Sequence, residues 1–151
     1  MEQFKTLFSA LIIYQHNIRV LHWNVAGQCF DCDHEKMGEY VSYFENAIDS
    51  LAEIMVQLDI PVDTLNGVIQ YASTAENAEF IIVNSDKIYS SKEVYEYIRT
   101  MFSHIIELYK AVCSIDTVPH AIRGELESFE YKFRLESNYK NKRRLAETQS
   151  E

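Results

Sequence analysis

The chain has 151 residues, of which 47% are apolar, while only 4 are glycine and 2 are proline. This is the length of one ordinary domain, which buries about 70% of the surface of the unfolded chain. The scarcity of turn-forming residues disfavours an all-β fold and favours long helices. The net charge of -9 disfavours general attraction to nucleic acid and suits a surface or cavity that gathers cations.

The sequence has few features that would indicate a membrane span, a signal peptide or a disulfide framework. No apolar run approaches the roughly 20 residues that span a bilayer. The first five residues lack the basic start and small-residue cleavage site of a signal peptide, so the sequence predicts a soluble cytoplasmic protein. Three cysteines are too few and too unevenly spaced for a disulfide framework, and Cys113 is expected to be a buried helix residue.

Four long helices are predicted from apolar residues that recur at three- and four-residue steps. The first covers about residues 4–26, with Gly27 just beyond its end. After a loop of about six residues, the second covers about residues 33–59. Either Asp31 or Asp33 is expected to be its N-cap, because a carboxylate accepts hydrogen bonds from the free amides of a first turn.

The third helix is predicted to open at Ser90, because Ser90 and Glu93 have the spacing of a capping box. The fourth begins near Pro119, since proline is common in the first helical turn. The links before the second and fourth helices are only a few residues long. Each of these links therefore joins two antiparallel neighbours.

The link between the second and third helices decides the predicted topology. It covers about residues 60–86, far more than a turn between neighbouring helices requires, and a short amphipathic helix is predicted around residues 64–74. Such a link can run back along the molecule, so that the second and third helices lie parallel. The prediction is one all-α domain, residues 1–151, with a ferritin-like four-helix bundle and one long crossover. An up-down-up-down bundle with a loose link is the alternative.

Histidines and carboxylates of the first two helices form a candidate metal site. No glutamate precedes a histidine by three residues, so the Glu-x-x-His pairs of common di-iron bundles are absent. His22 lies near the end of the first helix, and His34 follows twelve residues later. Asp49 and Glu53 lie further along the second helix, on one face. Imidazole and carboxylate ligands together suit iron and other divalent transition metals.

The spacing of these candidate ligands limits how they can combine. His34 and Asp49 are 15 residues apart, which is about 22 Å along a helix. One chain therefore cannot close both side chains around one ion. If all four residues are ligands, the histidines and the carboxylates must come from two chains across a two-fold axis.

Residues 22–53 resemble the signature region of the Dps family of miniferritins. The His-Trp-Asn motif, the second histidine twelve residues later and the Asp-x-x-x-Glu pair in a Leu-Ala-Glu-like context all match. The matching residues are His22, Trp23, Asn24, His34, Asp49, Ala52 and Glu53. Residues 58–61 and 130–135 are also similar to the family, but only the block of residues 22–53 is specific.

The resemblance implies a hollow shell of twelve subunits, in which iron(II) is oxidised by hydrogen peroxide or oxygen and ferric mineral collects. It implies that His22 and His34 of one chain bind iron together with Asp49 and Glu53 of a partner chain. It also implies that Trp23 lies beside the site as a candidate electron donor.

One position departs from the family pattern. Four residues after His34 the family has an aspartate, whereas this chain has Gly38. Glu39 points about 100° away around the helix, while Glu45 lies on the side of His34 and Asp49 and is a candidate substitute. The alternative hypothesis is therefore a shell or interaction protein whose ferroxidase site is weakened or lost.

Two further features leave alternatives open. Cys29 and Cys32 have redox or metal-binding spacing, with His34 nearby, or they are two loop thiols that pack. Near the C-terminus, within about residues 140–151, a basic run predicts either a solvated helix end or a weak DNA contact of the kind a DNA-compacting particle uses. The run consists of Lys140, Lys142, Arg143 and Arg144.

Overall fold

The computed structural model of the chain describes residues 1–75, 80–83 and 87–149, with side chains described to residue 138. Its helices are α1 (Glu2–Asn24), α2 (Phe30–Gln57), α3 (Leu65–Thr74), α4 (Ser91–Cys113) and α5 (His120–Gln149). The described residues form no β-strand, only an isolated bridge between Val25 and Tyr89. The chain is therefore all-α, as predicted. Across the described residues, no helix is long and apolar enough to cross a membrane.

The chain divides into two compact units, Met1–Ile98 and Arg99–Glu151. We call them unit 1 and unit 2. Unit 1 contains α1, α2, α3 and the first turns of α4, and unit 2 contains the rest of α4 and α5. The single domain and the four-helix bundle stay predictions.

In unit 1, α1 and α2 form an antiparallel hairpin. The apolar residues of α1 recur at helical spacing and are buried, among them Phe4, Leu7, Leu11, Ile18 and Leu21. Gln15 Nε2 donates to the carbonyl of Val41 at 3.2 Å, in the middle of both helices. Lys5, near the start of α1, lies 3.6 Å from the carboxylate of Asp63, just beyond the end of α2. The two helices therefore run in opposite directions along their whole lengths.

The predicted cap of the second helix is wrong. The helix begins at Phe30, with Cys29 as N-cap and without a side-chain cap hydrogen bond. Gly27 turns the chain with a φ of 134°, which favours glycine, and its carbonyl accepts the Phe30 amide at 3.2 Å. The carboxylate of Asp33 is instead buried and accepts the hydroxyl of Tyr95 at 3.0 Å. Asp33 thus contacts a residue 62 positions away in sequence instead of capping its own helix.

The connection between α2 and α4 runs back along α1. Near the start of α1, the hydroxyl of Tyr71 donates to Glu2 at 2.7 Å. Near its middle, the Ile81 amide donates to the hydroxyl of Tyr14 at 3.3 Å. At its end, Tyr89 exchanges backbone hydrogen bonds with Asn24 and Ala26, both at 2.9 Å. The connection thus reaches the start, the middle and the end of α1 in turn.

This path places the start of α4 beside the start of α2. The hydrogen bond from Tyr95, in the second turn of α4, to Asp33, in the first turn of α2, lies at that end of unit 1. An up-down-up-down order would instead start α4 at the end where α2 finishes. The short helix predicted within the connection is confirmed as α3, where Thr64 caps the amide of Gly67 at 3.1 Å.

The predicted capping box at the start of α4 is confirmed. The Ser90 hydroxyl accepts the Glu93 amide at 3.2 Å, and the Glu93 carboxylate accepts the Ser90 amide at 3.3 Å. Lys87 forms an ion pair with the same carboxylate. Two amides that have no partner within the helix are satisfied in this way.

We expect Ser90→Ala to lower the free energy of unfolding by about 1 kcal/mol, because it removes this cap. Ser103→Ala is the matched control, since Ser103 is exposed in the interior of α4 and alanine is the better helix former there. Urea denaturation followed by circular dichroism measures both. Equal losses in the two variants would contradict the role of the cap.

In unit 2, α4 and α5 are joined by a short turn. Arg123 donates to the carbonyls of Ile115 and Val118, at 2.9 and 3.3 Å, and so closes the turn. The rings of Phe102 and Phe133 meet edge to face at 5.4 Å between centroids. The predicted start near Pro119 is confirmed, because α5 begins at the next residue.

The basic run lies in the last turns of α5, whose backbone is helical to residue 149. The helical backbone agrees with the interpretation of the run as a helix end. The side chains of Lys140, Lys142, Arg143 and Arg144 lie outside the described residues. A DNA contact through them therefore stays a prediction.

Candidate metal centre

Two imidazole rings meet where α1 ends and α2 begins. The rings of His22 and His34 stack with 3.7 Å between centroids and 18° between planes. Nδ1 of His22 donates to the backbone carbonyl of His34 at 2.6 Å, and Nδ1 of His34 donates to the carbonyl of His22 at 2.9 Å. Each histidine therefore fixes the ring of the other through its own backbone.

These reciprocal hydrogen bonds determine which ring nitrogen is available. A carbonyl oxygen only accepts hydrogen bonds, so both Nδ1 atoms carry their protons. In the neutral ring the lone pair is then on Nε2. Histidines that bind metals usually donate their other N–H to a carbonyl or carboxylate, which orients the ring and raises its basicity. The pair thus has the hydrogen-bonding pattern of two metal-binding histidines.

Neighbouring contacts hold this end of α2 in place. The ring of Phe30 stacks on His34 with 5.2 Å between centroids. Asp33, the residue before His34, is anchored by the hydroxyl of Tyr95. The sequence pattern did not predict these contacts or the reciprocal carbonyl bonds, because nothing in local spacing specifies them.

Position 38 lies directly beside His22, one of the two stacked rings. A Cβ atom on Gly38 would lie 3.4 Å from Cε1 of His22 and 3.8 Å from its Nδ1. These are ordinary van der Waals distances, so a small side chain fits without displacing the ring. The position at which the chain departs from the Dps pattern therefore faces His22. Glu39 instead is exposed and pairs with Lys36 at 3.1 Å.

The candidate carboxylates lie elsewhere on α2. Asp49, Glu53 and Glu45 are all exposed. Glu45 and Asp49 follow His34 by about 16 and 22 Å along the helix axis, so neither can bind the same ion within one chain. Among the residues that the structure describes, no group of three or more histidines, cysteines and carboxylates could hold a metal ion. The chain alone therefore brings together the two histidines and leaves the carboxylates apart.

Trp23 is 60% exposed, which is unusual for the largest aromatic side chain. Its ring meets that of His16 edge on, with 6.4 Å between centroids. It follows His22 directly in sequence, in the last turn of α1. Its role as an electron donor stays a prediction.

The three cysteines have free thiols in different surroundings. Cys29 and Cys32 are exposed, at the N-cap and in the first turn of α2. Cys32 therefore lies in a helix, whereas the alternative of two packed loop thiols placed it in a loop. Cys113, predicted to be buried, is the last residue of α4 and is half-buried. Burial, together with the nearby carboxylates of Glu127 and Glu130, raises the pKa of its thiol to about 11.

Comparison with known proteins bears on the fold. No protein-family model matches the chain, and no curated protein matches it. The crystal structure of Helicobacter cinaedi CAIP is similar, with a TM-score of 0.56 and 23% sequence identity. The likeness covers 90% of this chain and 97% of that chain. The two chains therefore share a fold over nearly their whole lengths, and at this identity the likeness concerns the fold alone.

Proposed function

We propose that this chain is the subunit of a Dps-like miniferritin, which oxidises iron(II) at a site shared between two chains. The ferric product would be stored inside a hollow shell of identical subunits. The observation that carries the proposal is the stacked pair of His22 and His34, whose reciprocal carbonyl bonds engage both Nδ1 atoms and leave the ring lone pairs on Nε2.

The ligand chemistry supports a second chain as the source of the remaining ligands. Two neutral imidazoles bring no negative charge, whereas iron sites of this kind combine imidazole with carboxylate. Asp49 and Glu53 are exposed and lie one helical turn apart, so a partner can present both together. An isologous contact would then build two equal sites for every dimer.

The path of the chain supports a ferritin-like four-helix bundle. The connection after α2 returns along α1, and α4 starts where α2 starts, within unit 1. This is the arrangement that one long crossover produces. The bundle would present the end of α1 and the start of α2, with the histidine pair, and the last third of α2, with the carboxylates, on the same protomer.

The proposed reaction balances with hydrogen peroxide as the oxidant. Two iron(II) ions each lose one electron, and one peroxide molecule takes both electrons and two protons to give two water molecules. Because the peroxide is reduced by two electrons at one site, hydroxyl radical is not released. His22 and His34 would hold the iron in a fixed orientation, and where a site holds a single iron(II) ion, Trp23 is the candidate donor of the second electron.

The solution mass and the iron content of the purified protein test this proposal. Light scattering is expected to show a closed particle, and twelve chains of 17.7 kDa each are the size that the family resemblance implies. After addition of iron(II) and peroxide, iron is expected to co-elute with the particle in large excess over the number of chains. A monomer throughout the micromolar range would exclude a site shared between chains.

A second candidate function is a shell of the same architecture with a weakened or lost ferroxidase site. The observation that favours it is Gly38, which leaves the space beside His22 without a carboxylate. A particle of the expected mass that neither oxidises nor retains iron would support this candidate. The first candidate requires both assembly and oxidation.

A further inference from the structure

Cys29 and Cys32 occupy two defined positions at the start of α2. Cys29 is the N-cap and Cys32 is the third helical residue. Both side chains are exposed and both thiols are free. Residues three apart on a helix have Cβ atoms about 5–6 Å apart, whereas a disulfide holds its two Cβ atoms about 3.5–4.5 Å apart. A bridge between the two sulfurs therefore requires the first turn to bring these Cβ atoms closer by about 1.5 Å.

We propose that Cys29 and Cys32 form a redox-active dithiol site, which a hydroperoxide oxidises to a disulfide within the first turn of α2. The site is separate from the proposed iron chemistry and requires no metal. Its product is reversible, because a dithiol reductant restores both thiols.

The surroundings of the pair favour reaction between these two sulfurs. The amides of a first helical turn have no partner inside the helix, and the N-cap side chain is placed to accept from them. Cys29 makes no cap hydrogen bond, so its sulfur is not already engaged there. The segment that follows is held by the bonds of Asp33 to Tyr95 and of His34 to His22. The residues that directly follow Cys32 are therefore anchored to α1 and α4.

The charges near the pair select the oxidant. Asp31 lies between the cysteines and is exposed, and the whole chain carries a net charge of -9. Anionic disulfides are repelled by such a surface, whereas hydrogen peroxide is small and neutral. Hydroperoxide is therefore the oxidant that we assign to the site.

The reaction has two steps, and each balances. The sulfur of Cys29 attacks one oxygen of hydrogen peroxide, the O–O bond breaks, and the products are a sulfenic acid on Cys29 and water. The sulfur of Cys32 then attacks the sulfenic sulfur, the S–S bond forms, and a second water leaves with the thiol proton. Two electrons pass from the two thiols to the peroxide.

Cys113 is an internal control in the same chain. It is half-buried, and its pKa is raised to about 11, so little of it is present as the thiolate that attacks peroxide. It also lies far from Cys29 and Cys32 in sequence. We therefore expect it to remain reduced while the pair is oxidised.

The experiment uses the reduced, full-length protein with a chelator present, so that metal-catalysed oxidation does not contribute. Hydrogen peroxide is added in a nearly stoichiometric amount, and the remaining thiols are alkylated. The protein is then digested, and the masses of its peptides are measured by mass spectrometry. The expected result is a loss of two hydrogen atoms from the peptide that holds both cysteines, at a rate at least about tenfold above the reaction of Cys113. Dithiothreitol is expected to reverse it.

Two matched variants separate the steps. In Cys32→Ser the sulfenic acid on Cys29 has no neighbouring thiol, so dimedone is expected to label Cys29. In Cys29→Ser the thiol of Cys32 has no partner, so no disulfide within the peptide is expected and dimedone is expected to label Cys32. Disulfides between chains, sulfinic acid without a bridge, or oxidation of Cys113 at an equal rate would each overturn the proposal. None of these outcomes depends on whether the protein oxidises iron.

Discussion

Co-assembly of two inactive variants is expected to restore iron(II) oxidation. One chain carries His22→Ala and His34→Ala, and the other carries Asp49→Ala and Glu53→Ala. Each variant alone is expected to lose oxidation by more than about 100-fold, because every site lacks its imidazoles or its carboxylates. In a mixed dimer, one site receives all four ligands and the other receives none. Random mixing makes half of the dimers mixed, so about a quarter of the wild-type rate is expected.

A control from the same histidine pair makes this experiment decisive. A chain carrying only His22→Ala, co-assembled with a chain carrying only His34→Ala, is expected to restore nothing. The structure places both rings in one chain, 3.7 Å apart, so no exchange of subunits rebuilds the pair. Recovery in this control, or none in the main mixture, would mean that the ligands are not divided as proposed. The rate of iron(II) oxidation after addition of peroxide is the measurement.

The Gly38→Asp substitution is expected to have the second large effect. A Cβ at this position lies 3.4 Å from Cε1 of His22, so the added side chain starts beside that ring. An anionic oxygen there complements two neutral nitrogens, and we expect iron(II) to bind at least about tenfold more tightly and to be oxidised faster. Replacing a glycine in a helix interior also raises the stability of the helix. Without metal, repulsion between the new carboxylate and Asp49 and Glu53 of a partner chain should offset part of that gain.

Gly38→Ala is the matched variant. It removes the glycine, which costs a helix interior about 1 kcal/mol relative to alanine, but it adds no ligand. We therefore expect a higher free energy of unfolding and an unchanged affinity for iron(II). Anaerobic titration with iron(II) followed by addition of oxidant distinguishes the three forms. Equal affinities for Gly, Ala and Asp at position 38 would mean that the ion does not bind beside His22.

Local sequence rules predicted those parts of the fold that local interactions determine. The Ser90–Glu93 capping box involves residues three apart, and the structure forms both of its hydrogen bonds. The outward direction of Glu39 follows from helical periodicity alone, and its ion pair with Lys36 agrees with it. The helices α1 to α5 were likewise predicted from the spacing of apolar residues, with their ends shifted by a few residues.

The start of α2 shows why other features could not be predicted. The first-turn carboxylates made Asp31 and Asp33 reasonable caps, but the structure uses Asp33 to bind Tyr95. That contact depends on the return path of the chain, which local patterns do not encode. The stacking of His22 on His34 has the same origin, because it requires the relative placement of two helix ends. The sequence could name both residues, but it could not predict their mutual hydrogen bonds.

The short sequence separation within the histidine pair has a kinetic consequence. Contacts between residues twelve positions apart have low contact order, and closing so short a loop loses little chain entropy. The α1–α2 hairpin can therefore arrange both imidazoles while the rest of the chain is still folding. The carboxylates, in contrast, would come from a bimolecular encounter, whose rate depends on protein concentration. The histidine ligands of the proposed centre would thus be in place within the folding subunit, and the carboxylate ligands would join them only when two subunits assemble.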